Sequence, residues 1–252
     1  MLKKKTLPIP FGVGLLFCGI VSAQNAFAGV ADYVYTPAVE YGEREVGINF
    51  GTTSPRTGNF AQVTGVGFGF GAKEYWFTEI YFKQERSGNS TASLLEWENI
   101  FQLTDTGEYA VDVGLVTELE APLSSGAPWE AKIGPLFQTE FGKLQLNGNV
   151  LFKHAFGKDE SGAAYTTNLG YQLQAKYRWQ SVLEFGVQGL GDLGKWNSWD
   201  SKANQNHRYG PAVFGKFALE NRRAIKYNAA WLVGASSAAP NHTFRMQAEY
   251  EF

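Results

Sequence analysis

Charged side chains recur at alternate positions along this sequence, and they form two groups of opposite sign. The group between residues 79 and 140 is mostly acidic, and the group between residues 153 and 245 is mostly basic. The acidic residues singled out are Glu79, Glu96, Glu98, Asp112, Glu118 and Glu130. The basic residues are Lys153, Lys176, Arg178, Arg208, Lys216 and Arg245. Two facing walls of opposite charge would create a transverse field that orients polar solutes and disfavours apolar ones.

Other motifs that could carry chemistry are incomplete. Residues 67–72 match a glycine-rich dinucleotide template, but their glycines alternate with large apolar residues and no helical pattern follows. This segment predicts a strand with a small-residue inner face. His154, His207 and His242 are far apart in sequence, and no group of Cys, His or acidic residues has metal-ligand spacing. We expect neither a metal nor a cofactor.

Strict alternation of apolar and polar side chains is the main structural signal. It predicts strands with one apolar and one polar face. The predicted strands cover residues 39–51, 59–72, 74–86, 92–103, 108–120, 129–141, 143–156, 164–179, 181–191, 207–220, 225–236 and 242–252. Tight links alternate with longer polar loops, and twelve is an even strand number. The sequence therefore predicts an all-β, antiparallel up-and-down transmembrane β-barrel, with both termini on the side of the short turns.

The apolar faces favour a membrane over a soluble β-sandwich. Aromatic residues concentrate at the strand ends, with Trp179 and Phe252 toward the short turns and Trp129 and Phe156 toward the long loops. The middle of the same faces is aliphatic, as at residues 111–115. Two aromatic girdles around an aliphatic band are typical of outer-membrane barrels. The alternative is a soluble sandwich with these aromatics in its core.

The amino terminus has the features of a secretory signal peptide. Three lysines at residues 3–5 precede an apolar stretch at residues 11–21 and a small-residue cleavage motif ending at Ala28. The stretch is shorter than the roughly 20 residues that a spanning helix needs. We expect a signal peptide over residues 1–28 and a barrel domain over residues 29–252. The only cysteine, Cys18, lies in the signal, so no disulfide is expected.

The last strand carries an assembly signature. Apolar residues from Phe244 to Phe252 alternate with polar or charged residues up to the carboxyl terminus. In this respect the chain resembles bacterial outer-membrane β-barrel proteins, whose terminal aromatic residue is read by the barrel-assembly machinery. The resemblance implies that Tyr250 and Phe252 form the assembly signal. It also implies outer-membrane lipid and lipopolysaccharide as partners, and the outer membrane of a Gram-negative bacterium as the location.

The overall charge argues against a nucleic-acid partner. The formal net charge is −2, and loss of the three signal lysines leaves 19 basic against 24 acidic residues, or about −5. No basic run compensates for this excess of acid. The 29 glycines and the 15% aromatic content suit many strands joined by tight turns instead.

Short motifs suggest a family. They are residues 96–99, 133–135, 177–180, 184–189 and 209–212, each combining glycine, proline or aromatic residues with polar ones. These motifs look like those of uncharacterised proteobacterial exported proteins, across most of the exported chain. Those proteins are similar, more weakly, to an outer-membrane group associated with the meta-pathway of phenol degradation. The resemblance implies the barrel architecture and assigns no binding residue.

The sequence therefore predicts an outer-membrane channel or porin-like protein for small solutes. Eight strands leave room only for side chains and sixteen or more enclose an aqueous channel, so twelve strands leave two possibilities. The charged walls line an open pore, or they pair across the interior and close it. A closed structural or adhesion barrel is the corresponding alternative function.

A lipid-modifying enzyme is a further alternative, because outer-membrane phospholipases are also twelve-stranded barrels with a catalytic histidine and serine on the outer surface. His154 shares the parity of the outward residues. However, the first serine after it is Ser161 in a loop, so that family's catalytic motif is absent. We therefore predict that the protein is not an enzyme.

The longest predicted loop, residues 192–206, contains Trp196 and Trp199 among polar residues. Each indole offers a large apolar surface that would not remain in water. These tryptophans are candidates for a loop gate at the barrel mouth. Packing against neighbouring loops and docking on the outer leaflet are the alternatives.

Overall fold

The computed structural model describes residues 29–123, 127–158 and 162–252. The predicted signal peptide, with Cys18, lies outside the described residues. Within the described ranges the chain is all-β, and no helix there is long and apolar enough to cross a membrane. The strands are β1 (Arg44–Ser54), β2 (Ala61–Lys73), β3 (Trp76–Ser87), β4 (Ser90–Gln102), β5 (Asp112–Pro122), β6 (Glu130–Phe141), β7 (Leu144–Ala155), β8 (Thr167–Gln180), β9 (Leu183–Lys195), β10 (Ser198–Trp199), β11 (Asn206–Ala218), β12 (Ala224–Gly234) and β13 (His242–Glu251).

Twelve of these strands form a closed antiparallel barrel. Each pairs with its neighbours in chain order, and the two-residue strand β10 only extends the hairpin at the end of β9. The ring closes where β1 pairs with β13, in a register that sets Val46 opposite Tyr250 and Ser54 opposite His242. The predicted all-β up-and-down barrel of about twelve strands is therefore confirmed.

The side chains alternate between the two faces of the wall as the sequence pattern predicts. In β2, for example, Val63 and the glycines that follow it at every second position point inward, whereas Val66 and Phe68 are about half exposed on the outer face. Aromatic pairs gather near the strand ends outside the barrel, such as Tyr177 with Phe185 and Tyr250 with Phe252. The apolar face is thus the outside of the barrel, and the polar residues fill its interior.

Short turns predominate at one end of the barrel and longer loops at the other, with one exception at each end. At the end we call the turn end, β6 and β7 are joined through Gly142 (φ 61°), and the β11–β12 link places Asn221 and Arg222 at φ 61°. This left-handed backbone suits a tight turn. The β4–β5 link at the same end spans residues 103–111, longer than predicted. At the opposite end, which we call the loop end, β3 and β4 are joined by two residues rather than by the predicted longer loop.

Residues 29–43 run through the interior of the barrel, and we call them the lumen segment. Near the loop end, the Gly29 carbonyl accepts a hydrogen bond from Arg208 (3.4 Å). At the turn end, the Gly42 amide donates to the Gly71 carbonyl (3.1 Å). The carboxyl terminus lies at the turn end as predicted, but the described chain begins near the loop end. The prediction that both termini lie at the turn end was wrong for the beginning of the described chain, because residues 29–43 cross the lumen before β1 begins.

Inward-facing glycines make room for this segment. A side chain at Gly51 would place its Cβ 2.3 Å from the Val30 carbonyl oxygen, and one at Gly71 would place it 2.1 Å from the Glu40 carbonyl oxygen. At Gly114 the same atom would be 2.8 Å from a carbon of Pro37. Real Cβ contacts are not so short, so the backbone of the segment approaches the wall where only glycine allows it.

Candidate functional site: the lumen

The lumen segment separates the interior into two cavities. The loop-end cavity has a volume of about 610 Å³ and is lined by the beginning of the segment up to Asp32. The turn-end cavity has a volume of about 480 Å³ and is lined by the segment from Tyr33 onward. Tyr33 and Tyr35 line the turn-end cavity, and the Tyr35 hydroxyl contacts Glu118 and Lys132 of the loop-end cavity, so these residues lie where the two cavities meet.

Hydrogen bonds from four strands hold the segment at this point. The Tyr33 hydroxyl donates to both carboxylate oxygens of Glu98 (3.0 and 3.1 Å), and the Tyr35 hydroxyl donates to Glu118 (2.9 Å). The Tyr35 amide donates to Gln172 (3.1 Å), and its carbonyl accepts from Asn149 (3.0 Å). Because these bonds satisfy both the backbone and the phenols, the segment is fixed rather than loosely inserted.

Two small apolar clusters also grip the segment from opposite sides. Tyr35, only 4% exposed, packs against Val116, Leu136 and Leu151 of β5, β6 and β7. The second cluster surrounds Val34, and its other members are Leu190, Ala212, Phe214, Ala230 and Leu232. The lumen segment thus explains why apolar residues face inward at these positions, because they are buried against Val34 and Tyr35.

The twelve charged residues predicted to line the lumen all lie on the inner face, but many pair locally. Toward the loop end, Lys83 pairs with Glu96 and Lys153 pairs with Glu130. Lys132 pairs with Glu118 at 2.6 Å, and both side chains are only 5% exposed. These acids and bases come from the same or neighbouring strands, so they do not face each other across open water.

Ion pairs toward the turn end involve the predicted basic residues. Lys176 pairs with Glu184 (3.1 Å) and Lys216 with Glu251 (2.8 Å). Arg178 forms a forked pair with Glu140.

Two groups of three carboxylates lie close enough to bind a metal ion, namely Glu43, Glu45 and Glu251, and Glu96, Glu98 and Glu118. In the first group Lys226 contacts Glu43 and Glu251. In the second group Lys83 contacts Glu96, Lys132 contacts Glu118, and the Tyr33 hydroxyl donates to Glu98.

Two arginines of the predicted basic wall are deeply buried beside the start of the segment. Arg245 donates to Asn228 (2.6 Å) and to Gln188. On the neighbouring strand it lies opposite Gly51, the glycine that Val30 of the lumen segment approaches. Arg208 donates to Thr243 (3.3 Å) as well as to the Gly29 carbonyl. Arg208 therefore supports the segment and lines the loop-end cavity. Arg245 is bound instead to Asn228 and Gln188, which line the turn-end cavity.

Asp112 has a local role at the turn end. One of its carboxylate oxygens accepts a hydrogen bond from the Gly107 amide (2.8 Å), which closes the β4–β5 connection. Because this bond is within the connection, Asp112 is directed at the backbone rather than at a passing solute.

Trp196 and Trp199 lie outside both cavities. The Trp196 ring meets Phe152 edge to face (6.5 Å between centroids), and Phe152 belongs to the outer face of β7. The two indoles are 53% and 61% exposed. This arrangement favours docking at the outer surface over the gate and loop-packing hypotheses.

His154 lies on the outer face near the loop end. Its Nδ1 atom contacts the Thr167 hydroxyl (3.0 Å), and its ring meets Phe156 edge to face. Within the described residues no serine is bonded to it, and Ser161 lies outside them. The three histidines are also dispersed, since His207 contacts Tyr171 and His242 contacts Trp231.

The terminal aromatic residues sit on the seam of the barrel. The rings of Tyr250 and Phe252 stack at 5.8 Å on the outer face, and the Phe252 amide donates to the Arg44 carbonyl (2.8 Å). The predicted assembly residues therefore lie directly beside the strand that closes the ring.

The close approach of the lumen segment to Gly51 leads to a testable prediction. We expect Gly51→Ala to push Val30 away from the wall and to raise single-channel conductance modestly, because the added Cβ meets a backbone oxygen. Gly148→Ala is the matched control, since its Cβ would meet nothing closer than 3.7 Å. Equal conductance of the two variants in planar bilayers would argue against contact between the segment and this wall.

Comparisons with known proteins place the fold among outer-membrane barrels. No protein-family model matches the chain, and no curated protein matches it. An outer-membrane channel of Pseudomonas putida F1 is similar in structure, with a TM-score of 0.57, 11% identity, and coverage of 87% of this chain and 98% of that one. The NanC porin has a TM-score of 0.49 at 13% identity and covers 82% of this chain and 98% of its own. The chain thus shares the closed β-barrel fold of the Pseudomonas putida protein.

Proposed function

We propose that this protein is a narrow outer-membrane channel for small polar solutes, constricted by the lumen segment. The observation that carries the proposal is the pair of cavities, one at each end of a closed barrel, that approach each other at Tyr33 and Tyr35. Both cavities are lined by carboxylates, amides and lysines, which suit polar solutes rather than apolar ones. A closed structural barrel would gain nothing from a large polar vestibule at each end.

The location and partners belong to the same proposal. Signal cleavage near Ala28 would release a chain whose apolar outer face enters outer-membrane lipid and lipopolysaccharide. Tyr250 and Phe252 would be read by the barrel-assembly machinery. The short motifs resemble those of uncharacterised proteobacterial exported proteins, which are more weakly similar to the group associated with the meta-pathway of phenol degradation, and this resemblance does not name the solute.

Reconstitution into planar lipid bilayers tests the channel function. We expect small, fluctuating conductance steps, because the lumen segment fills most of the passage but leaves both vestibules open. Slower gel migration after boiling identifies folded barrel in the same preparation. Folded protein that conducts no ions, and that lets no small sugar or amino acid into liposomes, would instead support the closed structural barrel.

A further inference from the structure

The barrel wall holds residues 33–35 of the lumen segment in the way that a protein holds a bound peptide. The Tyr35 amide donates to Gln172 (3.1 Å), and the Tyr35 carbonyl accepts from Asn149 (3.0 Å). Asn149 and Gln172 lie directly opposite each other on β7 and β8, and they are hydrogen-bonded to each other (2.9 Å). These two amide side chains therefore bind both backbone groups of one residue, as a neighbouring strand would.

The side chains of the same three residues enter separate pockets. Ala212 lies opposite Ala230 on the adjoining strand, and these small side chains leave room for Val34 within its apolar cluster. Tyr33 and Tyr35 direct their hydroxyls to carboxylates of β4 and β5 instead. Backbone hydrogen bonds combined with pockets for alternate side chains are the means by which proteins recognise extended peptides.

The amide pair also has binding capacity that the segment does not use. Asn149 and Gln172 are only 1% and 2% exposed, yet the Asn149 side-chain oxygen and the Gln172 side-chain nitrogen have no hydrogen-bond partner. Because buried polar atoms are almost always satisfied, these two atoms point to a partner beyond the segment. One atom is an acceptor and the other is a donor, so a further peptide group would satisfy both.

Both cavities lead to this site. Tyr33 and Tyr35 line the turn-end cavity, and the Tyr35 hydroxyl is bonded to Glu118 and Lys132, which line the loop-end cavity. The lumen segment is not part of the ring, because the ring consists of the twelve barrel strands. A solute could therefore take the place of residues 33–35 while the wall stays closed.

We propose that the wall around residues 33–35 is a binding site for short extended peptides, and that the lumen segment occupies this site as an internal competitor. The peptides that fit have an aliphatic side chain between two aromatic ones, and their backbone replaces that of Tyr35 between Asn149 and Gln172. The inference rests on the proposed function in one respect, since such a peptide would be a solute of the channel. Peptide entry and displacement of the segment are then a single exchange.

Calorimetric titration of a tripeptide into the folded, detergent-solubilised protein tests this exchange. The tripeptide has the sequence of residues 33–35, with an acetylated amino end and an amidated carboxyl end. A tethered segment competes at an effective concentration of the order of millimolar, so weakening the segment should strengthen tripeptide binding. We expect Tyr33→Phe/Tyr35→Phe to bind the tripeptide at least about tenfold more tightly than the wild type, because the segment loses its hydrogen bonds to Glu98 and Glu118.

Tyr41→Phe is the matched control for the double variant. It removes a hydroxyl from the same segment at a residue that is 70% exposed, so it should bind the tripeptide like the wild type. A second tripeptide, methylated on the backbone nitrogen of its last residue, lacks the N–H that corresponds to the Tyr35 amide. It should bind the double variant at least about tenfold more weakly than the unmodified tripeptide. If the double variant does not fold, the two tripeptides are compared on the wild type.

Three results would overturn the site: no saturable binding of the tripeptide to the folded double variant, equal binding by the double variant and Tyr41→Phe, or equal binding of the two tripeptides. The titration requires no ion flow, so its outcome is separate from the channel function. A conducting barrel that does not bind the tripeptide would remove the site and retain the channel. A barrel that binds the tripeptide without conducting would retain the site and remove the channel.

Discussion

Deletion of residues 30–40 is expected to raise single-channel conductance severalfold. Twelve strands about 4.8 Å apart and tilted by about 40° give a barrel roughly 24 Å across between opposite backbones. Side chains of facing walls take roughly 10 Å of this width, and an extended chain about 10 Å wide fills most of the rest. Removing the segment should therefore open a continuous aqueous passage. Planar-bilayer recordings measure the change directly.

The deletion should leave the wall intact. The ring begins at Arg44, whose carbonyl binds the Phe252 amide, and the twelve barrel strands retain their neighbours. Removing residues 197–204 of the exposed loop that carries Trp199 is a suitable control, and it should not change the conductance. Unchanged conductance in a heat-modifiable deletion variant would place the constriction elsewhere in the barrel.

Lys132→Met is expected to destabilise the barrel by roughly 3–5 kcal/mol. The ammonium of Lys132 contacts Glu118 in the middle of the wall and also donates to the Tyr35 hydroxyl (3.2 Å). Without it, Glu118 becomes a buried charge with no counter-charge, and the contact with the lumen segment is lost as well. Equilibrium unfolding in urea, followed by tryptophan fluorescence in lipid vesicles, measures the free energy of unfolding.

Arg178→Met provides the comparison for Lys132→Met. The Arg178–Glu140 pair is more than a third exposed on both sides, so its loss should change stability by at most about 1 kcal/mol. Lys132→Met/Glu118→Gln should recover part of the stability lost in the single variant, because no uncompensated charge remains. Equal losses in Lys132→Met and Arg178→Met would contradict the assignment of Lys132 to a buried pair.

The barrel itself was predictable because its signal is local. Alternation sets the face of each side chain, as in β8, where Leu173 is exposed and Gln172 is buried. The predicted ends of strands were wrong where the residues there are also common in loops. Strand β9 continues to Lys195, because Asp192 and Gly194 resemble loop residues in sequence yet lie within the strand.

The ion pairs were not predictable, because they depend on register between strands. The sequence separates mostly acidic from mostly basic strands and suggests two facing walls. In the structure, Lys132 lies directly opposite Glu118 on the next strand, and Lys153 reaches Glu130 diagonally. A shift of two residues in either register would have produced different partners with the same faces.

The lumen segment was missed because its pattern is too short to assign. Tyr33, Val34 and Tyr35 alternate in the manner of a strand, but Pro37 follows and cannot donate to a ladder. The useful signal was the pair of tyrosines between the predicted cleavage site and the first strand, in a stretch with few charges. Nothing in the sequence alone places such a stretch inside the barrel rather than before it.

The position of this segment next to the closing pair of strands constrains how the barrel is made. Polypeptides rarely thread through a finished ring, and fifteen residues with three tyrosines would have to do so if the wall closed first. Since the segment leads directly into β1, it can instead be laid along the open sheet before β1 meets β13. Biogenesis would then enclose the segment in its final step. The segment could later leave the lumen by sliding along the barrel axis, while β1 and β13 remain paired.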